Sequence, residues 1–378
     1  MTNSIIQINT RAALEQLCAT LATQAEMAVD TEADSLYSYF EKVCLVQIST
    51  RVADYIVDPL VVELSPLGAL FADARIEKIF HAAEYDILSL KRDYHFDFNN
   101  LFDTMVAARV LGWQNIGLGN ILQERYGVAL NKKFQRADWG HRPLSSEQIA
   151  YARDDTHYLL ALRDLQAGEL QRVGRLDEAR EEFERLCRVK PTPRRFDPDA
   201  FWNIKGARDL DPPRLGILRE LYRFRDAQAR REDHPPFKVL SDGTMLAIAA
   251  ARPTSPRTLQ NLCGITPHLF QRYGSTILDA VEKGIAHPQA KIPQPHTHRE
   301  PPLDNATRNR IARLKEWRKA RAEARGVAPD VIISNEVMFQ IARRHPRTLD
   351  ALTEMGLGAS KQREYGEEIL AAAEERKK

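Results

Sequence analysis

Residues 221–253 align without a gap on residues 314–346, a shift of 93 positions at which 10 of 33 residues are identical. The shared positions include Leu221/Leu314, Arg225/Arg318, Ala229/Ala322, Ser241/Ser334, Met245/Met338, Ile248/Ile341, Ala249/Ala342 and Pro253/Pro346, and Phe224 faces Trp317. The apolar members recur at helical spacing, so most of them are expected in a core. The repeat therefore predicts two copies of a small all-α domain, at 211–290 and 300–378. A Pro- and His-rich stretch from His287 to Pro302 joins them, with the linker proper at 291–299. Its histidines, His287, His296 and His298, are irregularly spaced and read as a tether rather than a metal site.

Upstream the pattern changes. Met27-Ala28-Val29, Val43 to Ile48, Asp54 to Val57 (stopped by Pro59) and Lys78 to His81 read as strands. Ile87-Leu88-Leu90 and Thr104 to Leu111 read as helical, and a charged helix over 167–189 closes the region. Residues 1–190 are thus expected to form an α/β domain around one mixed sheet. Pro191-Thr192-Pro193-Arg194-Arg195 opens a linker, 191–210, because two prolines break a helix.

The net charge of +2 hides an asymmetry. Residues 1–190 hold 21 basic and 28 acidic side chains (net −7), and the remainder 33 and 24 (net +9). A basic module can capture a polyanion by releasing its counterions. An acidic module that handles the same polyanion needs cations of its own. Four scattered cysteines without a CxxC pair argue against zinc and against a disulfide scaffold, and fit a reducing cytoplasm. No run approaches the roughly 18 apolar residues of a membrane span. The first residues lack a basic patch followed by an apolar core, so no secretion signal is expected.

Three pieces of the front half carry candidate chemistry. Asp30 and Glu32 follow a short apolar strand, and strand alternation points both carboxylates the same way; a solvated strand end is the bland reading. Tyr151 and Asp155 are spaced i, i+4 on a helix capped by Ser146, so phenol and carboxylate converge. Asp154 is turned about 100° away. Asp86 falls in the first turns of a helix starting near Ala83, where a carboxylate is favoured by the helix dipole alone; Glu84 and Asp103 compete with it. Four carboxylates gathered at one place would be oxygen ligands for hard divalent ions. A pair of such ions suits an in-line phosphoryl displacement.

The order Asp30-x-Glu32, Asp86, Tyr151-x-x-x-Asp155 resembles the three exonuclease motifs of the DEDDy 3′→5′ exonucleases. Asp30 to Leu36 with Cys44-Leu45-Val46-Gln47-Ile48, Phe102-Asp103-Thr104 with Ala107-Ala108, and Ala137-Asp138-Trp139 with Arg142-Pro143-Leu144 are similar to the ribonuclease D family. The repeated helical module resembles the HRDC domain. The resemblance covers nearly the whole chain and implies an RNase H-like (DnaQ-like) α/β exonuclease domain with a mixed sheet, followed by two HRDC-like domains. It implies two divalent ions, Mg²⁺ or Mn²⁺. Asp30, Glu32 and Asp155 would bind the nucleophile-side ion, Asp30 would bridge to the second, Asp86 would contribute directly or through water, and Tyr151 would orient the attacking water. The implied product is a nucleoside 5′-monophosphate released from the 3′ end.

Substrate contacts are expected from Lys132, Lys133 and Arg136 with Trp139, cations beside an aromatic ring just before the third motif; a solvated turn with Trp139 in the core is the alternative. Tyr37, Tyr39 and Phe40 are candidates to flank the terminal nucleotide, and His81 to approach a phosphate. The implied partner is RNA, such as tRNA precursors and other structured RNAs with single-stranded 3′ ends, in the cytoplasm. No protein partner and no membrane are implied. The alternatives are a DNA exonuclease of the same fold and an inactive RNA-binding scaffold. No Gly-rich P-loop is present, which argues against a helicase.

Overall fold

The computed structural model describes residues 4–193, 195–289 and 303–374. The linker at 291–299, with His296 and His298, lies outside the described residues. The chain divides into two compact units, one of Met1–Ala33, Val43–Pro191 and Pro302–Lys378, the other of Asp34–Lys42 and Thr192–Pro301.

The first unit is built on a mixed sheet. Its strands are β1 (Ile5–Ile8), β2 (Glu26–Ala33), β3 (Val43–Ser49), β4 (Asp54–Val57), β5 (Glu77–Phe80) and β6 (Leu101–Asp103). They lie in the order β1-β4-β3-β2-β5-β6. The β2–β3 and β3–β4 pairs are antiparallel and the others parallel. Every residue of β3 is buried, which explains its apolar run from Val43 to Val46: both faces are covered. The α/β expectation for this region holds.

Local expectations need correction. The short edge strands β1 and β6 escape the periodicity reading, because three or four residues carry too little pattern. Asp30 and Glu32 lie within β2 rather than after it, and the register of β2 against β3 shifts only between Glu32 and Ala33. The expected 167–189 helix is two, Leu159–Arg172 and Leu176–Cys187. They break at Gly174, whose φ of +67° is a conformation glycine takes without steric cost.

The second helical copy, Asn305–Arg325, Pro329–Ile332, Asn335–Arg344, Leu349–Thr353 and Ala359–Ala373, belongs to this same unit. Ion pairs tie it to the helix Leu176–Cys187 and its flanks. Arg325 meets Glu178 at 2.8 Å, with Glu178 only 3% exposed, and Lys361 meets Glu182 at 2.8 Å. Arg175–Glu364 and Arg109–Asp330 add to them.

The second unit holds the first copy, Pro212–Glu232, Pro236–Val239, Asp242–Ala251, Pro256–Gln260 and Pro267–Ala286. Residues Phe201, Trp202, Ile204 and Ala207, from the stretch read as a linker, are buried in its core. The segment Asp34–Lys42 joins it: the backbone N–H groups of Tyr39 and Phe40 both donate to Asp233 Oδ1 at 2.9 Å, and the Tyr39 hydroxyl donates to Asp226. Tyr39 is thereby buried.

The repeat is structural as well as sequential. Leu221/Leu314, Ala229/Ala322, Met245/Met338, Ile248/Ile341 and Ala249/Ala342 are all core residues of their copies. Arg225 donates to Leu240 O and Asp242, and Arg318 to Ile333 O and Asn335, the same two positions one repeat later. Ser241 and Ser334 each cap the helix that follows. Several back-half arginines are thus spent on backbone carbonyls rather than offered to solvent.

Candidate active site

β2 carries Asp30 and Glu32 into a cavity of about 450 Å³. The helix Glu84–Tyr94 brings Asp86 in its first turn, and the helix Ser146–His157 brings Tyr151 and Asp155. That last helix starts one residue earlier than the sequence suggests. Ser145, not Ser146, is the N-cap, and it forms a reciprocal capping box with Gln148. The expected residues Asp30, Glu32, Asp86, Tyr151 and Asp155 therefore all line one cavity.

Asp30, Glu32 and Asp155 each offer a carboxylate oxygen within 4.8 Å of the others. Asp86 is buried beside them and accepts a 2.5 Å hydrogen bond from the Thr31 hydroxyl. Strand alternation alone did not mark Thr31 as a partner. Burial raises the pKa of all four acids, and repulsion adds to it. Asp30 is held well above the carboxylate range by burial and then by Asp86, Asp155 and Glu32. Glu32 is pushed up to about 9 by burial, with Asp155 and Asp86 adding. Asp155 is pushed to about 7 by burial with Asp154 and Asp86, against the Tyr151 hydrogen bond. Asp86 also reaches about 7 through burial, with the Thr31 bond opposing. Such a set is under electrostatic strain unless positive charge enters it. Oxygen-only donors converging from several elements fit a hard divalent ion.

The competing acids are spent elsewhere. Asp103 caps the helix Thr104–Leu111 and accepts from the N–H groups of Ala82 and Ala83. Asp154 pairs with Arg153, and Glu84 is exposed.

Tyr151 is hydrogen-bonded to Asp155. Burial and then the neighbouring carboxylates raise its pKa, so the phenol keeps its proton. Its ring lies between Phe134 (5.9 Å, 68°) and Trp139 (5.9 Å, 31°). Trp139 is 1% exposed, packed with Cys44, Leu45, Ile56 and Ala152. It is a buried support for Tyr151 and presents no face for a base. Arg142 pins that loop, with both ends of its guanidinium on Asp58 at 2.7 and 2.8 Å and further bonds to Trp139 O and Cys44 O.

The cations of this loop part company. Lys132 lines the cavity with Gln135. Lys133 is exposed and pairs with Glu147 at 2.8 Å, and Arg136 is exposed. His81 lines the cavity too, its Nδ1 2.9 Å from the Thr104 hydroxyl, and burial lowers its pKa. The Thr104 hydroxyl donates to Phe80 O, so His81 Nδ1–H is the donor in their bond. Asn120 and Tyr85 complete the wall; nothing in their local sequence marked them. Tyr37, Tyr39 and Phe40 belong to the second unit, and Tyr39 is committed to Asp226 there.

Residues 5–170 match the model of a 3′-5′ exonuclease family, and residues 214–281 and 308–373 each match the HRDC domain. Ribonuclease D of Gluconacetobacter diazotrophicus is 31% identical over 341 residues, covering 89% of this chain and 86% of that protein. The exosome complex exonuclease RRP6 of Saccharomyces cerevisiae is 35% identical over 283 residues, covering 70% of this chain but only 39% of its own length. The chain spans about a third of the exosome component 10 homolog of Caenorhabditis elegans. Among solved structures, Escherichia coli RNase D, titled an exoribonuclease involved in structured RNA processing, superposes with a TM-score of 0.62 at 25% identity, over 94% of this chain and 98% of that one. No helix among the described residues is long and apolar enough to cross a membrane. An exonuclease fold with its acids in one cavity, two HRDC domains later in the sequence and near full-length likeness to ribonuclease D lead to one conclusion: the chain belongs to the ribonuclease D family of 3′→5′ exoribonucleases.

Proposed function

We propose that the chain removes 3′-terminal nucleotides from structured RNA, tRNA precursors among them, as 5′-monophosphates, using two divalent cations, Mg²⁺ or Mn²⁺. The observation that carries this reading is the meeting of Asp30, Glu32 and Asp155 within 4.8 Å, beside Asp86 and Tyr151, in one open cavity. Cations held there supply positive charge to the phosphodiester and lower the pKa of water. Asp30, Glu32 and Asp155 hold them, with Asp86 assisting. Tyr151 keeps its proton and is fixed between two rings, so it orients the attacking water rather than abstracting its proton. Lys132, at the cavity wall, is placed to take a phosphate, with Lys133 and Arg136 further out on the same loop.

The domain division goes with this reading: catalysis in 1–190, an HRDC-like domain at 211–290 whose core takes in Phe201 to Ala207 of the 191–210 stretch, and another at 300–378. A cytoplasmic setting fits the bacterial relatives. The exosome relatives are named as parts of a complex, and a pull-down with the full-length chain tests whether it too takes a protein partner. The test is digestion of matched RNA and DNA oligomers, with paired and unpaired 3′ ends, under Mg²⁺ and Mn²⁺. Mononucleotides released from unpaired RNA ends are expected. Asp155→Asn should bind RNA normally and lose more activity than the roughly 10–100-fold typical of a group that only supports a metal ligand. An unchanged rate would overturn the assignment.

A further inference from the structure

Gln47 sits in the middle of β3 with no solvent exposure, and neither its amide nitrogen nor its amide oxygen has a hydrogen-bond partner among the described residues. Its position is specific. In the antiparallel β2–β3 pair Gln47 is directly opposite Asp30, and in the β3–β4 pair it is opposite Ile56. Directly opposed residues share a face, with Cβ atoms about 5 Å apart. That face lies under the helix Ser146–His157. Ser49, two residues along β3, hydrogen-bonds Thr156 at 2.7 Å, and Leu45 and Ile56 pack with Ala152 of the same helix. Gln47 therefore lies on the catalytic face, beside Asp30.

A second orphan flanks it. Asp54, opposite Ser49 on β4, is 1% exposed; its Oδ2 meets His157 Nδ1 at 2.8 Å, and its Oδ1 has no partner among the described residues. A primary amide has two N–H donors. Asp30 directly opposite on β2 and Asp54 on the diagonal of β4 put a carboxylate at a neighbouring register position on either side of those donors. A leucine or methionine would fill the same volume without burying unmatched polar atoms, which cost stability. A polar group carried at a cost beside a charged site points to a task at that site.

We infer that Gln47 is a positioning residue: its buried amide, turned onto the Asp30 carboxylate that it faces across the β2–β3 pair, orients that carboxylate to take a divalent cation. The inference rests on the reading that Asp30 is a cation ligand. It adds a residue from outside the acidic motifs, working from beneath the site.

The probe is Mn²⁺ alone, titrated without RNA into the full-length protein and followed by paramagnetic resonance of the free ion. Thermal unfolding of the same samples in EDTA runs beside it. Gln47→Leu and Gln47→Met keep the volume and remove the amide. The expected result is a metal-free melting temperature equal to or above wild type, with Mn²⁺ affinity about tenfold weaker. Wild-type Mn²⁺ affinity in either folded variant would overturn the inference and leave Gln47 a packing residue. Asp30→Asn separates the two layers of the argument. If it binds Mn²⁺ as wild type does, the cation-site reading itself fails, whatever Gln47 does.

Discussion

The two helical copies share a scaffold, and one ion pair of the first is reversed in sign in the second. In the first copy Glu232 accepts the Tyr273 hydroxyl at 2.6 Å and pairs with Arg272 at 2.8 Å, closing the ion pair inside the copy. In the second copy the position 93 residues after Glu232 is Arg325, and the Tyr-Gly pair Tyr365-Gly366 aligns with Tyr273-Gly274, which puts Glu364 in the place of Arg272. Each reversed charge is used outside its copy: Arg325 on Glu178 and Glu364 on Arg175, both in the catalytic region. The reversed charges thus dock the second copy on its neighbour, together with Val331, which is buried in the neighbour's core, and Val327, packed against it. It also follows that deletion of 211–378 is a poor test of RNA capture, because it would strip Glu178 of its partner along with any RNA-binding surface.

The largest expected effect is on that docking. Glu178→Ala leaves the Arg325 guanidinium, 11% exposed, without its buried partner, and should cost about 3–5 kcal/mol of stability, read as a lowered denaturation midpoint. A midpoint within error of wild type would mean that the second copy is not held by this pair.

Next is the response to pH and metal. A carboxyl whose folded pKa is raised binds its proton more tightly in the folded state, so it lowers stability as pH rises from the unfolded carboxylate range through the folded value. For metal-free protein the window opens at about pH 4 and extends through about 9 for Glu32, with Asp30 shifted in the same direction. Stability in EDTA should fall across it. Mg²⁺ at about a hundred times its dissociation constant should return about 2.7 kcal/mol. By hydrogen exchange, the added protection should reach the docked helix Asn305–Arg325 more than the helix Pro212–Glu232 of the first copy. Equal protection in both would erase the distinction between them.

A smaller effect concerns RNA. If the first copy is the one that meets the phosphate backbone, replacing the exposed Arg252 and Arg257 with Ser should flatten the salt dependence of binding by about one to two logarithmic units per decade, roughly one per lost contact. The same change at Arg308 and Lys315 in the second copy should alter it less. Filter binding over a range of salt checks both, and the reverse ranking would assign capture to the second copy.

The smallest effect is the charge swap. Glu232→Arg with Arg272→Glu rebuilds an ion pair that is 44% exposed at its arginine, and should change stability by no more than about 1 kcal/mol. A larger loss would show that the Tyr273 hydrogen bond, rather than the ion pair, is what the first copy needs there.

Much of this molecule is legible in the linear chain because its constraints are local. The repeat is visible because equivalent core positions face equivalent surroundings. Tyr151 and Asp155 share a helical face by spacing, and Asp30 and Glu32 a strand face by alternation. Other features depend on neighbours distant in sequence. Trp139 and Phe134 look like a nucleic-acid platform beside Lys132 and Lys133, yet they enclose Tyr151, because Arg142 draws their loop onto Asp58. Asp103 resembles a candidate ligand, yet its oxygens are taken by backbone N–H groups across a turn. Tyr39 follows the first motif in the chain and packs with a helix nearly two hundred residues later.

Periodicity and residue chemistry were enough to set out the α/β front half, the duplicated helices and the Asp30/Glu32 and Tyr151/Asp155 pairs, since each depends on spacings of a few residues. Which acids are spoken for, which copy is docked, and where Gln47 lies relative to Asp30 depend on strand register and on long-range pairing. Those follow from burying many side chains at once, a free energy shared across the whole fold and written in no single stretch of sequence.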